Sequence, residues 1–156
     1  MQLTDNFTLE EIWCHASTPD AVQTRTCEML ARMILQPLRN QMKLPIKITS
    51  GFRSAQAVGG AKNSELFYIT GEGAVDINIS TPAPKINLTA FNWLATNCLY
   101  SIGQLIWYTE TTHLHISLAG KRHQGELLMC TSKAAGAYKR ITRASEIQPI
   151  DSRLKI

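Results

Sequence analysis

The chain has 156 residues, 44% hydrophobic and 18% charged, which suits one globular domain able to bury a core without metal or disulfide staples. No apolar run approaches the roughly 20 residues that span a bilayer. Met1-Gln-Leu-Thr-Asp5 has neither the basic start nor the apolar core of a secretory signal, so the chain is expected to be made and folded in a cytoplasm. The net charge of +4 is placed unevenly: residues 1–131 carry ten Lys/Arg against ten Asp/Glu, whereas Lys133, Lys139, Arg140, Arg143, Arg153 and Lys155 face only Glu146 and Asp151 in residues 132–156. Composition thus separates a neutral domain, 1–131, from a basic C-terminal extension, 132–156. Such an extension suits an acidic partner, a cell-wall polymer or nucleic acid, or it is a solvated terminus. Tyr138 is its one aromatic residue, so it lacks a base-stacking platform and nucleic-acid binding is not expected.

The first helix is expected to start after Thr8. Thr8 is a good N-cap, Glu11 completes a capping box, and Phe7 with Ile12 is placed for a hydrophobic staple. A second start falls at Thr18-Pro19-Asp20, with Thr18 as cap and Pro19 at the first helical position. From there Cys27, Leu30, Ala31, Ile34, Leu35, Leu38 and Met42 recur at helical spacing, and Pro37 should kink or shorten the last turns.

Pro45 to Ser50 alternates like a short strand, followed by a turn at Gly51-Phe-Arg-Ser54 and a Gly-, Ala- and Ser-rich loop over 55–72. Ala74 to Ile79 reads as a strand with Val75, Ile77 and Ile79 on one face and Ala74, Asp76 and Asn78 on the other. Leu88, Phe91, Leu94, Ala95, Cys98 and Leu99 describe a third helix. Strands follow at Ile102–Tyr108, His113–Leu118 and Gly125–Cys130. Helices come first and strands accumulate afterwards, which makes an α+β domain: N-terminal helices packed on a small, mainly antiparallel sheet. Cys14, Cys27, Cys98 and Cys130 form no CxxC pair and have apolar neighbours, so they read as buried free thiols.

Three positions carry possible chemistry. Asp76 lies on the polar face of an otherwise apolar strand, where a carboxylate wants a cation, a metal or several donors; it reads equally as a structural loop-capping Asp. His113 and His115 share one strand face with Ser117. Two such histidines ligate zinc only if a third ligand arrives, and otherwise one is a satisfied core histidine and the other a surface one. Arg53, in a turn straight after a strand, is either a carboxylate fork or a solvated surface residue.

Taken in order, Phe7-Thr-Leu-Glu-Glu11, Ile34-Leu-Gln-Pro-Leu-Arg39, Pro45-Ile-Lys-Ile-Thr-Ser-Gly-Phe-Arg-Ser54, Val58-Gly-Gly60, Asn63-Ser64, Gly73-Ala-Val-Asp-Ile77 and His115-Ile-Ser117 resemble the zinc D-Ala-D-Ala carboxypeptidase family. That family includes phage peptidoglycan endopeptidases and is related in fold to the hedgehog signalling domain. The resemblance covers about residues 3–131 and implies a peptidase-like domain over 1–131.

By resemblance, Asp76 and His115 match two zinc ligands, while Arg53 and Ser64 match substrate-binding positions. The family's first histidine, two residues after Ser64, is replaced by Leu66, and its general base, three before His115, by Thr112. A catalytic zinc site needs three protein ligands and an open position. Loss of the base costs about 10²–10⁴ in rate even with the metal present. The resemblance therefore implies a degenerate peptidase domain without a cofactor. It would bind a peptidoglycan peptide or other phage-particle proteins, or serve as a structural module of the particle. The alternative is an active zinc peptidase with a rearranged Asp76, His113 and His115 site and Glu110 as base.

Overall fold

A computed structural model describes residues 1–14, 18–52, 73–81, 85–111, 113–121, 123–131 and 138–141. The chain begins with α1 (Leu9–Trp13), held by a complete Thr8–Glu11 capping box, with both Phe7 and Ile12 buried. It ends at Cys14 in the left-handed region, φ 53°. Cys14 is exposed, against the expectation of burial, because this C-cap turns its thiol back to the Glu11 carbonyl, 2.6 Å away. Cys27, Cys98 and Cys130 are buried free thiols, as expected. Burial, with Cys14 nearby, pushes the Cys27 thiol up to about 12, so it stays protonated at neutral pH.

Helix α2 (Ala21–Leu30) starts two residues later than Thr18 would have it. Asp20 is the N-cap, and its carboxylate accepts from the Gln23 amide while the Gln23 side chain accepts from the Asp20 amide. The helix then widens into a π turn over Ala31–Leu35, where the Gln36 amide bonds back to the Ala31 carbonyl, before α3 (Gln36–Met42). This widening is how the chain meets Pro37. A proline ring presses on the carbonyl four residues back and offers it no N–H, and the looser turn absorbs both effects without ending the helix.

The strands are β1 (Ile46–Ser50), β2 (Ala74–Ile79), β3 (Ile102–Tyr108), β4 (His113–Leu118), β5 (Glu126–Cys130) and β6 (Tyr138–Arg140), with α4 (Ile86–Asn97) and a short 3-10 turn (Leu99–Ser101) between β2 and β3. They form a six-stranded sheet in the order β1-β2-β4-β3-β5-β6. All neighbours pair antiparallel except β3 and β5, which run parallel. The expected α+β class with a mainly antiparallel sheet is what the chain adopts. The sheet continues past residue 131, because β6 pairs with β5 and Ile141 is buried in the core.

Period-two alternation sends one face of the sheet inward. Val75, Ile77, Leu114, Ile116, Leu105 and Leu127 pack there against Leu30, Ile34 and Leu38 of the continuous helix from α2 to α3 and Phe91 and Leu94 of α4. Each fully buried aliphatic side chain contributes about 1.5–3 kcal/mol, so this one layer dominates the stability. The opposite face carries the polar residues.

Candidate functional site

The β2–β4 register decides which side chains meet. Asp76 pairs with His115, Asn78 with His113, and Ala74 with Ser117, all on the face turned away from the helices. Directly opposed residues of an antiparallel pair are the closest side-chain neighbours a sheet offers. Asp76 and His115 use that closeness: His115 Nδ1 is 2.9 Å from Asp76 Oδ1. The imidazole is 8% exposed and the carboxylate 21%, so the contact is partly shielded from water. With Nδ1–H donating to the carboxylate, a neutral ring carries its lone pair on Nε2, the tautomer that leaves Nε2 as the ligating or proton-accepting end.

The strand edge beside Asp76 is tied down from β1. Ser50 pairs with Asp76 after an irregularity at Thr49, whose Oγ1 donates to the Asp76 carbonyl at 3.1 Å. The chain then passes so close to α1 that a Cβ on Gly51 would overlap the Ile12 carbonyl oxygen and lie 3.2 Å from Cys14 Sγ. Phe52 stacks on Trp13 with ring centroids 4.0 Å apart and planes 4° from parallel. Gly51 and Phe52 thus clamp the end of β1 onto α1. Arg53 follows in sequence but lies outside the described residues, as do Ser64, Leu66 and Thr112.

His113 is on the same face but differently engaged. Its ring lies 4.9 Å from that of Tyr108, tilted by 45°. Burial holds the Tyr108 hydroxyl well above the usual phenol range, and the charges of Tyr138 and Asp76 add to that effect. Farther along the face, Ser117 Oγ accepts from the Gln104 amide at 2.9 Å. At the far end, Glu126 is a hub that composition and spacing did not reveal. It accepts from Gln104 Nε2 at 2.8 Å, pairs with His123 Nδ1 at 2.8 Å, and also meets Arg140 of β6. Of these partners His123 alone is near in sequence, three residues before Glu126; Gln104 and Arg140 reach it through the fold.

Zinc held for catalysis takes three protein ligands, commonly imidazole and carboxylate. Among the described residues, Asp76 and His115 come together, and no three His, Cys, Asp or Glu side chains form a group that could hold a metal. The described donors therefore do not by themselves fit such a site.

A mostly antiparallel sheet with helices over one face and an acid–imidazole pair on the other is compatible with a peptidase-like α+β fold. The sequence model described as Peptidase M15 matches residues 5–117, and the chain belongs to that zinc D-Ala-D-Ala carboxypeptidase-like family. No curated protein and no solved structure matches the chain. No helix of the described residues is long and apolar enough to cross a membrane.

Proposed function

We propose that this is a peptidase-like domain that has lost catalysis and binds peptidoglycan peptides or serves as a structural module. We place it in a phage-encoded protein carried in the particle, where the basic extension would contact other particle proteins. The observation that supports the loss of catalysis is the donor set. Asp76 and His115 are each other's partner at 2.9 Å, while Leu66 stands where the family has its first histidine and Thr112 where it has its base. An acid–imidazole pair with one carboxylate and one ring has too few ligands for a stable catalytic zinc. The family placement supports the peptidoglycan ligand, with Arg53 and Ser64 as the residues expected to touch it.

A second reading keeps zinc-dependent peptidoglycan D,D-peptidase activity through Asp76, His113 and His115. Its support is that all three residues project from the same sheet face. The two readings separate in a sedimentation assay with purified cell-wall sacculi. Retention on the sacculi without release of soluble fragments is expected from the first. Release of fragments that stops on adding a chelator would overturn it.

A further inference from the structure

At one end of the sheet, beside the start of α4, lies a cleft of about 290 Å³ that the Asp76–His115 pair does not line. Lys47 of β1 and Lys85, just before α4, flank it. Among the described residues neither lysine enters an ion pair, and both are exposed. No Asp or Glu belongs to its described lining; Glu110, between Thr109 and Thr111, is exposed and lies outside it.

The helix adds to this field. Helix α4 has 12 residues, no side-chain cap at Lys85 and no acidic residue in its first turn. Its first intrahelical bonds run from Leu88 and Thr89 to the Lys85 carbonyl, so the earlier amides of the turn have no helical acceptor. An uncapped helix N-terminus favours negative charge.

A second, independent sign of a missing partner lies in the wall. Asn87, in the first turn of α4, is 4% exposed, and its Oδ1 has no hydrogen-bond partner; Thr111 is half-buried, and its buried Oγ1 also lacks one. Buried polar atoms are almost always satisfied, and two orphans beside one cleft call for a ligand. An amide can turn over about its last bond, so Asn87 offers either a carbonyl to an N–H or an NH₂ to an anion. Ile79, Ile86 and Trp107 supply an apolar wall beside these polar groups.

We infer that this cleft binds a carboxylate-bearing end of a peptide. The carboxylate sits between Lys47 and Lys85 against the first amides of α4. A neighbouring peptide amide reaches Asn87, and a small side chain packs on the apolar wall. Phosphate shares the anion chemistry but has nothing to place against Ile79, Ile86 and Trp107. The inference rests on the peptidoglycan-binding reading, because stem peptides present carboxylates next to alanine methyl groups.

The test is calorimetric titration of the full chain with a soluble stem peptide, the same peptide with its carboxyls amidated, and inorganic phosphate. The wild type is compared with the double variant Lys47→Gln/Lys85→Gln and with a charge-matched control, Lys43→Gln/Lys139→Gln, whose lysines lie outside the cleft. All four lysines are exposed, so folding is retained. Loss of a charge-assisted contact is expected to weaken the acidic stem peptide about tenfold or more in the first variant and to leave the control unchanged. The amidated peptide should bind the wild type about as weakly as the acidic peptide binds the Lys47/Lys85 variant. Wild-type affinity in that variant, or equal loss in the control, overturns the cleft while leaving peptidoglycan binding intact. Phosphate that binds as tightly as the stem peptide overturns the peptide assignment. A wild type that binds no stem peptide removes the peptidoglycan reading, and this inference with it.

Discussion

His115 stands directly across β2 and β4 from Asp76, and its Nδ1 lies 2.9 Å from Asp76 Oδ1. The pairing gives each of two polar side chains, on a sheet whose other face is the core, the partner that burial demands. On the proposed reading, the same two residues are what this chain keeps of the family's zinc ligand set. Their present bond is sufficient to explain why they remain together.

Removing one partner should cost more than reshaping it. Asp76→Ala strands a nearly buried ring N–H and is expected to destabilise the fold by about 1–3 kcal/mol, whereas Asp76→Asn keeps an acceptor oxygen and loses less. Urea unfolding of both variants checks this. Equal stability of Asp76→Ala and wild type would mean the pair carries no structural weight.

Gly51 is required by contact. A methyl group there overlaps the Ile12 carbonyl oxygen, so Gly51→Ala must push β1 away from α1 and loosen the Phe52–Trp13 stack. The expected loss is on the order of 1–3 kcal/mol, as for overpacking elsewhere. Thermal unfolding, with tryptophan fluorescence reporting on Trp13, measures both effects; an unchanged Tm contradicts the clamp.

Acid should act through Glu126. Burial alone would raise its carboxyl, but hydrogen bonds from Gln104 and Arg140 and the charges of His123 and Arg140 outweigh that and hold it below the usual glutamate range. A carboxyl lowered in the folded state contributes stability that is complete above its unfolded pKa and is lost as pH falls through the folded one. Urea midpoints measured from pH 7 to pH 3 should therefore fall more steeply in wild type than in Glu126→Gln. Parallel curves would show that Glu126 is not the linked group.

Restoring the missing ligand should restore metal binding. Leu66→His with Thr112→Glu supplies the imidazole and carboxylate that the family pattern places beside Asp76 and His115, and the double variant is expected to take up zinc in stoichiometric amount where the parent does not. A folded double variant that binds no zinc would show that Leu66 does not occupy the histidine's place.

The chain's own pattern made much of this architecture readable. The limits of β2, β3 and β4 coincide with the expected strands, because β2 and β4 alternate apolar with polar residues and β3 is a short, mostly apolar run. The Thr8–Glu11 capping box was equally local and equally visible. Asp20 displaced Thr18 as the cap of α2 because either residue satisfies the local rule, and the Gln23 side chain settles the choice. Strand β6 was missed: Tyr138-Lys-Arg140 is short and exposed on every residue, and only pairing with β5 makes it a strand. The parallel β3–β5 contact and the Glu126 hub are likewise products of chain crossing, which no local spacing records. For the site, two-residue periodicity puts Asp76 on the polar face of β2 and His113 with His115 on one face of β4, whereas the meeting of Asp76 with His115 depends on the β2–β4 register. That His113 would pack on Tyr108 depended on a neighbouring strand.

The most direct measurement is the zinc content of the purified protein, taken together with hydrolysis of a cross-linked muropeptide. A domain that has lost catalysis should carry substoichiometric zinc and give no cleavage above the uncatalysed rate, with or without added metal. One bound zinc per chain, together with cleavage that disappears in His113→Ala, would contradict it.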